Sequence, residues 1–557
     1  MIYTPVNLYA DFTPNLPLRD SGSADRELDG GVTYSTVYFN GRQTAEGRVN
    51  IFGTLARHND GKTHPAILII PDCTEEPDPR LSARFASLGY DVLTFDYAGG
   101  AEGAERRTNY PSDLKYAYYS EDGKFIEHAE EDARHTAWYE WCCVARYAVN
   151  YVVEKLGAKK IGVLGIKTGS DLMWHLLSCD DRVTCAVGLF GAGWRAYKGF
   201  RKYGPAQEFP LDGERMRFIA GVDAHAFAPY CKCPVALFTS TNSAEYDADR
   251  AHDTLRRVNK KVDAFFCLSP RMREAVDENC FRNAMLFYAV YLNGQRIQMA
   301  AEPKLEMGLS GETVELKLLT TDALRAKNVD IYVCEKEIVP ARRNWIKLVG
   351  VVQESSSAYR ATYSLKNGGE MLFAFAVVDY RNGITVSTPI TAKKCPKTQV
   401  IKTNLLYSNK SDGAGDYCYP VKHKDLLGGA IYYRSSPLEI VKGPMGISGA
   451  SSTAGLISYK VDESCVDIRS DSIFKVDVYC ETAITFAVTL TTSVGSENER
   501  QYTAYVPVPR GEVWQNIVLN LRDFKTPEGK IIETPEEINS IEYSGDGTFV
   551  INNVLLI

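Results

Sequence analysis

Long hydrophobic runs are missing from this sequence. No stretch of its 557 residues approaches the roughly 18 consecutive apolar residues that a membrane-spanning helix requires. Met1–Pro5 leads directly into polar sequence, without the basic start and apolar core of a secretory signal. We therefore expect a cytoplasmic protein that has no membrane partner.

A strong excess of one charge is also absent. Lys and Arg number 63 against 70 Asp and Glu, which gives a formal net charge of -7. Because no block of like charge is long enough to form a basic patch, we expect no nucleic-acid partner. Hydrophobic residues make up 45% and charged residues 24%, which is typical of a folded globular protein.

Motifs for a metal or a nucleotide cofactor are missing too. The 14 cysteines are scattered, and the close pairs Cys142–Cys143 and Cys231–Cys233 have neither metal-ligand spacing nor the density of a disulfide framework. His128 and His135 are predicted to share a helix, but without the i, i+4 spacing of a metal pair. The glycine-rich segment Tyr97–Gly103 does not open a helix after a strand. We expect buried free thiols, no metal and no cofactor.

The first 300 residues contain strands that alternate with helices. Unbroken apolar runs followed by amphipathic segments predict an α/β domain, with a mostly parallel sheet covered on both faces. Predicted strands include 66–70, 91–95, 161–164, 183–189 and 235–238, and predicted helices include 79–88, 129–156, 170–178, 247–258 and 277–292. The segment between residues 190 and 234 is expected to be irregular.

The remaining chain reads as all β. About seven short alternating segments between 303 and 395 are typical of an immunoglobulin-like sandwich. Longer strands after residue 396, such as 472–480 and 515–521, fit a jelly roll of two sheets. The expected organisation is an α/β domain at 1–300, an immunoglobulin-like sandwich at 301–395 and a jelly roll at 396–557.

The segment Gly165–Gly169 lies directly between a buried predicted strand and an amphipathic predicted helix. This is the setting of the G-x-S-x-G nucleophile elbow, where glycines allow a strained turn to pack against its neighbours. Lys167 occupies the position of the attacking serine. The sequence therefore predicts an elbow without its usual nucleophile.

With this elbow, residues 35 to 295 resemble the acetyl xylan esterase and dienelactone hydrolase branch of the α/β-hydrolases. The fragments that carry the resemblance are Ile70–Asp72, Leu88–Tyr97, Gly165–Gly169, Phe190–Trp194 and Ala228–Pro234. The resemblance implies a doubly wound sheet and an ester-hydrolysing triad of serine or cysteine, acid and histidine.

By the same resemblance, the acid would follow strand 235–238 and the histidine would follow the next strand. Either Asn242 or Ser243 stands at the acid position, and Pro270 and Arg271 stand at the histidine position. A changed nucleophile would still need a base and an orienting acid, so replacement at all three positions favours a non-catalytic role.

Two unorthodox catalysts remain open. A desolvated Lys167 could act as a base or form a Schiff base. Cys73 lies in the loop that normally donates an oxyanion N–H and could be a displaced thiol nucleophile. The alternative for Lys167 is an ion pair with a carboxylate, for which the candidates are Asp72, Glu102 and Asp247.

Backbone N–H groups and tryptophans mark the candidate ligand sites. The backbone N–H groups of Thr168 and of the loop that contains Cys73 would form an oxyanion-like pocket independently of the side chains. Trp194 and Arg195 lie nearest the expected pocket, and flat indole rings suit sugar faces. Trp514 lies in a segment of the last domain that resembles carbohydrate-binding jelly-roll modules.

Three functional hypotheses follow. The first is a pseudohydrolase of carbohydrate metabolism that binds a glycan, a glycoside or a small acyl ligand. The second is an active carbohydrate or thioester hydrolase that uses Lys167 or Cys73. The third is a structural scaffold whose β-domains mediate homo-oligomerisation.

Overall fold

A ten-stranded sheet forms the centre of the N-terminal domain. The computed structural model describes residues 2–14, 17–23, 26–28, 31–58, 60–99, 107–119, 126–320, 324–408, 439–451 and 455–557. The strands of this sheet are β1 (Ser21–Gly22), β2 (Arg26–Leu28), β3 (Val32–Gln43), β4 (Arg48–His58), β5 (Ala66–Ile70), β6 (Asp91–Phe95), β7 (Ile161–Ile166), β8 (Val183–Leu189), β9 (Val235–Ser240) and β10 (Ala264–Ser269).

The order of these strands defines the fold. It is β1-β3-β4-β6-β5-β7-β8-β9-β10, with β2 paired to β3. Strands β3, β4 and β6 pair antiparallel, and every neighbouring pair from β6 to β10 is parallel. The central strands β5, β6 and β7 are buried along their whole length, because helices cover both faces. The N-terminal domain therefore has an α/β-hydrolase-like fold.

Six α-helices accompany the sheet within the described part of the chain. They are α1 (Pro79–Ala86), α2 (Ala137–Glu154), α3 (Thr168–Cys179), α4 (Gly213–Gly221), α5 (Ala248–Leu255) and α6 (Glu278–Tyr291). Aspartate side chains cap the first turns of α1, α4, α5 and α6 by accepting backbone N–H groups. No helix among the described residues is long and apolar enough to cross a membrane.

Two helix predictions were wrong in detail. The helix predicted from residue 129 begins only at Ala137, because Thr136 caps it and Asp132 caps a separate short turn before it. His128 and His135 therefore lie outside that helix. The stretch predicted as irregular contains α4, whose start is fixed by an N–H of Arg215 donating to Asp212.

The second region is a β-sandwich. One sheet has the order β11-β12-β16-β15, and the other has the order β14-β13-β17-β18, with β19 also paired to β17. Its strands are β11 (Lys304–Ser310), β12 (Thr313–Leu319), β13 (Ala326–Glu335), β14 (Ile346–Lys347), β15 (Val352–Gln353), β16 (Ala358–Ser364), β17 (Gly369–Tyr380), β18 (Thr385–Ser387) and β19 (Thr391–Lys397).

The third region is a separate pair of antiparallel sheets with its own hydrophobic core. One sheet has the order β21-β22-β29-β24-β27, with β20 on β29, and the other has the order β23-β28-β25-β26. Its strands are β20 (Leu405–Tyr407), β21 (Glu439–Lys442), β22 (Ser448–Ser451), β23 (Leu456–Ser458), β24 (Ile473–Tyr479), β25 (Ile484–Thr492), β26 (Arg500–Val508), β27 (Gln515–Asn520), β28 (Ile538–Gly545) and β29 (Val550–Leu556).

The three regions pack tightly against one another. Arg343, from the loop between β13 and β14, forms two hydrogen bonds of 2.6 and 2.7 Å to Asp249 of α5. These side chains are 0% and 1% exposed. The neighbouring Arg342 donates to the carbonyl of Val494 in the third region. A single loop of the second region therefore contacts both the N-terminal domain and the third region.

Candidate functional site

The backbone of Gly165–Gly169 adopts the strained geometry of a nucleophile elbow. Lys167 joins β7 to α3 with φ of 54° and ψ of -116°, a conformation that is rare for a residue with a side chain. A Cβ on Gly165 would lie 2.6 Å from the Cα of Ser170, and one on Gly169 would collide with the carbonyl oxygens of Ile70 and Pro71. Both positions therefore require glycine, because backbone atoms of neighbouring residues approach them too closely for a side chain.

The two N–H groups that face an oxyanion in this kind of site are already occupied. The Asp72 carboxylate accepts the N–H of Cys73 at 2.9 Å and the N–H of Thr168 at 3.3 Å, both through Oδ1. Its other oxygen lies 3.7 Å from Nζ of Lys167. An internal carboxylate therefore accepts both of the N–H groups that the resemblance assigns to an oxyanion pocket.

The Lys167 side chain faces an acidic recess. Its side chain and that of Asp72 are each 10% exposed. The recess has a volume of about 30 Å³, and its lining includes Lys167 with four carboxylates, those of Asp72, Glu75, Glu76 and Asp78. Of the three partners expected for Lys167, Asp72 forms the ion pair, Asp247 instead pairs with Arg250 at 3.2 Å, and Glu102 lies outside the described residues. The lysine is placed for an ion pair.

Cys73 is badly placed for a nucleophile. Burial raises the pKa of its thiol to about 12, and the charge of Asp72 adds to the rise. Its Sγ lies 3.6 Å from Oγ1 of Thr168. A thiol with this pKa carries almost no thiolate near neutral pH, and the thiolate is the form that attacks.

The loop after β9, where a catalytic acid would stand, is used for packing. Nδ2 of Asn242 donates to the carbonyl of Arg343 at 2.8 Å. Ser243 donates to Glu274 at 3.0 Å, and the N–H of Ala244 donates to the same carboxylate at 2.8 Å. Asn242 therefore holds the second region, and Ser243 has a carboxylate partner in place of a histidine.

The loop after β10, where a catalytic histidine would stand, also contacts the second region. Nε of Arg271 donates to the carbonyl of Trp345, and its guanidinium lies 5.4 Å from the ring centre of Tyr332. Pro270 precedes it, directly after β10. Glu274, four residues further on, is the residue of this loop that reaches the site. Burial raises its pKa, while the N–H of Ala244 and the charge of Lys167 act in the opposite direction.

A cleft of about 790 Å³ opens beside the elbow. Its lining includes Asp72, Cys73 and Thr168 from the elbow side and Pro340 from the second region. The third region contributes Gly495, Ser496, Glu497 and Glu499. The volume is within the range of small-molecule sites, which often lie between domains. None of the described residues that line it is a histidine.

Arg195 and aromatic rings form one wall of the cleft. Arg195 pairs with Asp171 at 2.7 Å and donates to Oγ1 of Thr168 at 3.1 Å. Burial disfavours its charge, but Asp171, Tyr246 and Cys73 together raise the pKa of Arg195. The aromatic side chains of the wall are those of Tyr119, Trp194, Tyr197, Phe200 and Tyr246.

Trp194 is held by a pair of residues that sequence reasoning missed. Asp223 accepts the N–H of Trp194 at 2.7 Å, and the ring of His225 stacks on the indole with centroids 4.1 Å apart. His225 and Asp223 approach within 3.3 Å of each other. Their sequence signal was weak, because only the fold brings the segment after α4 against the loop after β8.

Trp514 lies elsewhere, in the third region. Its indole N–H donates to the carbonyl of Pro444 at 3.3 Å, and its ring packs over Gly443. It is not among the residues that line the cleft. Among the residues for which coordinates are described, no group of three or more metal-binding side chains is arranged around a common point.

Neither a protein-family model nor a curated protein matches this sequence. Solved structures do resemble it. An acetyl xylan esterase from a Paenibacillus species has 15% identity and a TM-score of 0.41, over 50% of this chain and 90% of its own. A dienelactone hydrolase, described as putative, from Klebsiella pneumoniae has 12% identity and a TM-score of 0.32, over 47% of this chain and 99% of its own.

Proposed function

We propose that this protein is a carbohydrate-associated α/β-hydrolase-fold protein that lacks serine-esterase activity and binds a glycan or glycoside in the cleft beside the elbow. The observation that carries the proposal is the occupation of both oxyanion-type N–H groups by Asp72. Ester hydrolysis needs those donors free for the tetrahedral intermediate. Because a carboxylate accepts both N–H groups, the elbow offers neither a serine nucleophile nor a free anion site.

The chemistry of the cleft supports a polar, ring-containing ligand. Aromatic rings suit sugar faces, while carboxylates and arginines supply hydrogen-bond acceptors and donors for hydroxyl groups. Charged side chains of both signs line the cleft, namely Asp72, Glu127, Asp171, Arg195, Lys198, Arg201, Glu245, Asp247, Glu497 and Glu499. Seven of these groups are carboxylates and three are cationic, so the lining disfavours an anionic ligand and is compatible with a neutral glycan or glycoside.

The two β-regions extend the proposal. Their paired sheets are compatible with an immunoglobulin-like sandwich and a carbohydrate-binding jelly roll, which we propose as their fold types. The third region also contributes residues of the turn at 495–499 to the cleft. On this proposal the third region takes part in binding through that turn rather than through Trp514.

Calorimetric titration with a panel of neutral and acetylated oligosaccharides and glycosides tests this function. We expect at least one ligand to bind, and Trp194→Ala to weaken its affinity by about tenfold or more, as for other buried aromatic anchors. Trp194→Phe should keep part of the affinity, and Trp514→Ala should bind like the native protein. Absence of binding across the panel, or loss of binding in Trp514→Ala alone, would contradict the proposed cleft.

A further inference from the structure

Two cysteines of the N-terminal domain face each other across a helix pair. Sγ of Cys142, in the first half of α2, lies 3.7 Å from Sγ of Cys179, the last residue of α3. Both are free thiols. Their separation in sequence is 37 residues, so the contact is created by the fold.

The geometry permits a covalent bond between them. The sulfurs of a disulfide are separated by about 2.05 Å, so these two must approach by only about 1.7 Å. Rotation of the two side chains would have to supply that movement. Cys142 is fully buried, whereas Cys179 is partly exposed at the end of its helix. Cys179 is therefore the member of the pair that lies nearer to solvent.

We propose that Cys142 and Cys179 are a site of reversible oxidation, at which a peroxide or a small-molecule disulfide converts the two thiols into a disulfide that links α2 to α3. With hydrogen peroxide, Cys179 is first oxidised to a sulfenic acid and one water is released. The Cys142 thiol then attacks that sulfur, the S–S bond forms and a second water leaves. One peroxide is reduced to two waters, and two thiols lose two hydrogens. A thiol reductant reverses the change.

The surroundings of the pair set the speed of this reaction. Burial raises the pKa of Cys179, and contact with Cys142 adds to the rise, while Arg146 acts in the opposite direction. Asp180 and Tyr9 also face the pair. Oxidation should therefore be slow near neutral pH and faster as the pH rises, because the thiolate is the reacting form.

A link at this place would affect the helix that carries the elbow. The first residue of α3 is Thr168, whose N–H contacts Asp72, and its last residue is Cys179. A cross-link to α2 removes conformational freedom from the unfolded chain and restrains the far end of α3.

Peptide mapping of the full chain after treatment with hydrogen peroxide or oxidised glutathione tests the proposal. We expect a Cys142–Cys179 cross-linked peptide that dithiothreitol removes, two fewer free thiols, and a melting temperature raised by about 5 °C for the oxidised form. Hydrogen exchange should slow in residues 168–179. Cys142→Ser and Cys179→Ser should lose the cross-link and the shift.

Cys395→Ser is the matched control, since Cys395 is a partly exposed cysteine in the second region. It should behave like the native chain. Cys142→Ala serves as a second variant in case a hydroxyl is poorly tolerated at that buried position. Absence of the cross-linked peptide, or an equal shift in the Cys179→Ser variant, would overturn the proposal.

Discussion

The elbow and the loops after β9 and β10 differ in how closely they match an ester-hydrolysing site. The elbow keeps its backbone, with Lys167 in a strained conformation between two sterically required glycines. The loops after β9 and β10 keep their places at the edge of the sheet but bind another part of the chain. Asn242 and Arg271 hold backbone carbonyls of residues 343 and 345.

The difference is one between backbone conformation, which the elbow retains, and side-chain identity, which differs in the two loops. The elbow turn is determined by close backbone packing, which persists when the central side chain changes. At the positions that the resemblance assigns to an acid and a histidine, Asn242 and Arg271 instead bind the second region. The third region contributes residues to the lining of the cleft beside them.

The largest effect is expected from the contact that the β9 and β10 loops support. Arg343→Ala would leave Asp249 as a buried carboxylate without its cation, and loss of one partner of such a pair costs about 3 to 5 kcal/mol. Urea unfolding measures the change. Arg360→Ala is the control, because its partners Glu315 and Glu354 are exposed or half-exposed, and it should cost less than about 1 kcal/mol. Equal effects of the two variants would mean that the loop is not an anchor.

A smaller but clear effect is expected at the elbow. Gly169→Ala would place a Cβ against backbone carbonyls that cannot move independently, so we expect destabilisation of about 2 to 3 kcal/mol. Thermal unfolding provides the measurement. Gly308→Ala in β11 meets only Glu315, at 3.7 Å or more, and should change stability little. A tolerated Gly169→Ala would show that the strained turn is not held by backbone packing.

The smallest expected effect is on the pH dependence of stability, through a carboxyl group in the cleft. Burial, together with the charge of Asp249, raises the pKa of Asp247 to about 6. The folded chain therefore holds this proton more tightly than the unfolded chain, whose aspartates titrate near about 4. The resulting stabilisation is fully present below about pH 4 and is lost as the pH rises through about 6. The free energy of unfolding should fall by about 1 kcal/mol over this range, because the group is partly exposed.

Asp247→Asn cannot titrate and should remove that part of the pH dependence. Unfolding free energies at pH 4.5, 5.5, 6.5 and 7.5 would show a flatter profile in the variant. An unchanged profile would contradict the assignment.

The sequence predicted the fold through features that are local. The largely apolar segments 66–70, 91–95 and 183–189 are strands with those bounds, because strands covered on both faces have mostly apolar side chains on either side. The elbow was found because its glycines and the flanking strand and helix are adjacent in the chain.

Other parts of the site depend on long-range contacts that no local pattern contains. The position of the Asp72 carboxylate over the N–H groups, the approach of Glu274 to Ser243 and the turn at Gly495–Glu499 all arise from packing between distant segments. The start of α2 was missed because residues 129–136 have helical apolar spacing, while capping by Asp132 and Thr136 determines where the helix begins.

The most direct measurement is hydrolysis of p-nitrophenyl esters and acetylated sugars by the native protein, beside Lys167→Ala and Cys73→Ser. We predict no turnover above the uncatalysed rate in any of the three, because Lys167 and the oxyanion-type N–H groups are both engaged by Asp72. Turnover by the native protein that is abolished in Lys167→Ala would contradict this and identify a lysine-dependent hydrolase. Turnover lost only in Cys73→Ser would identify a thiol enzyme instead.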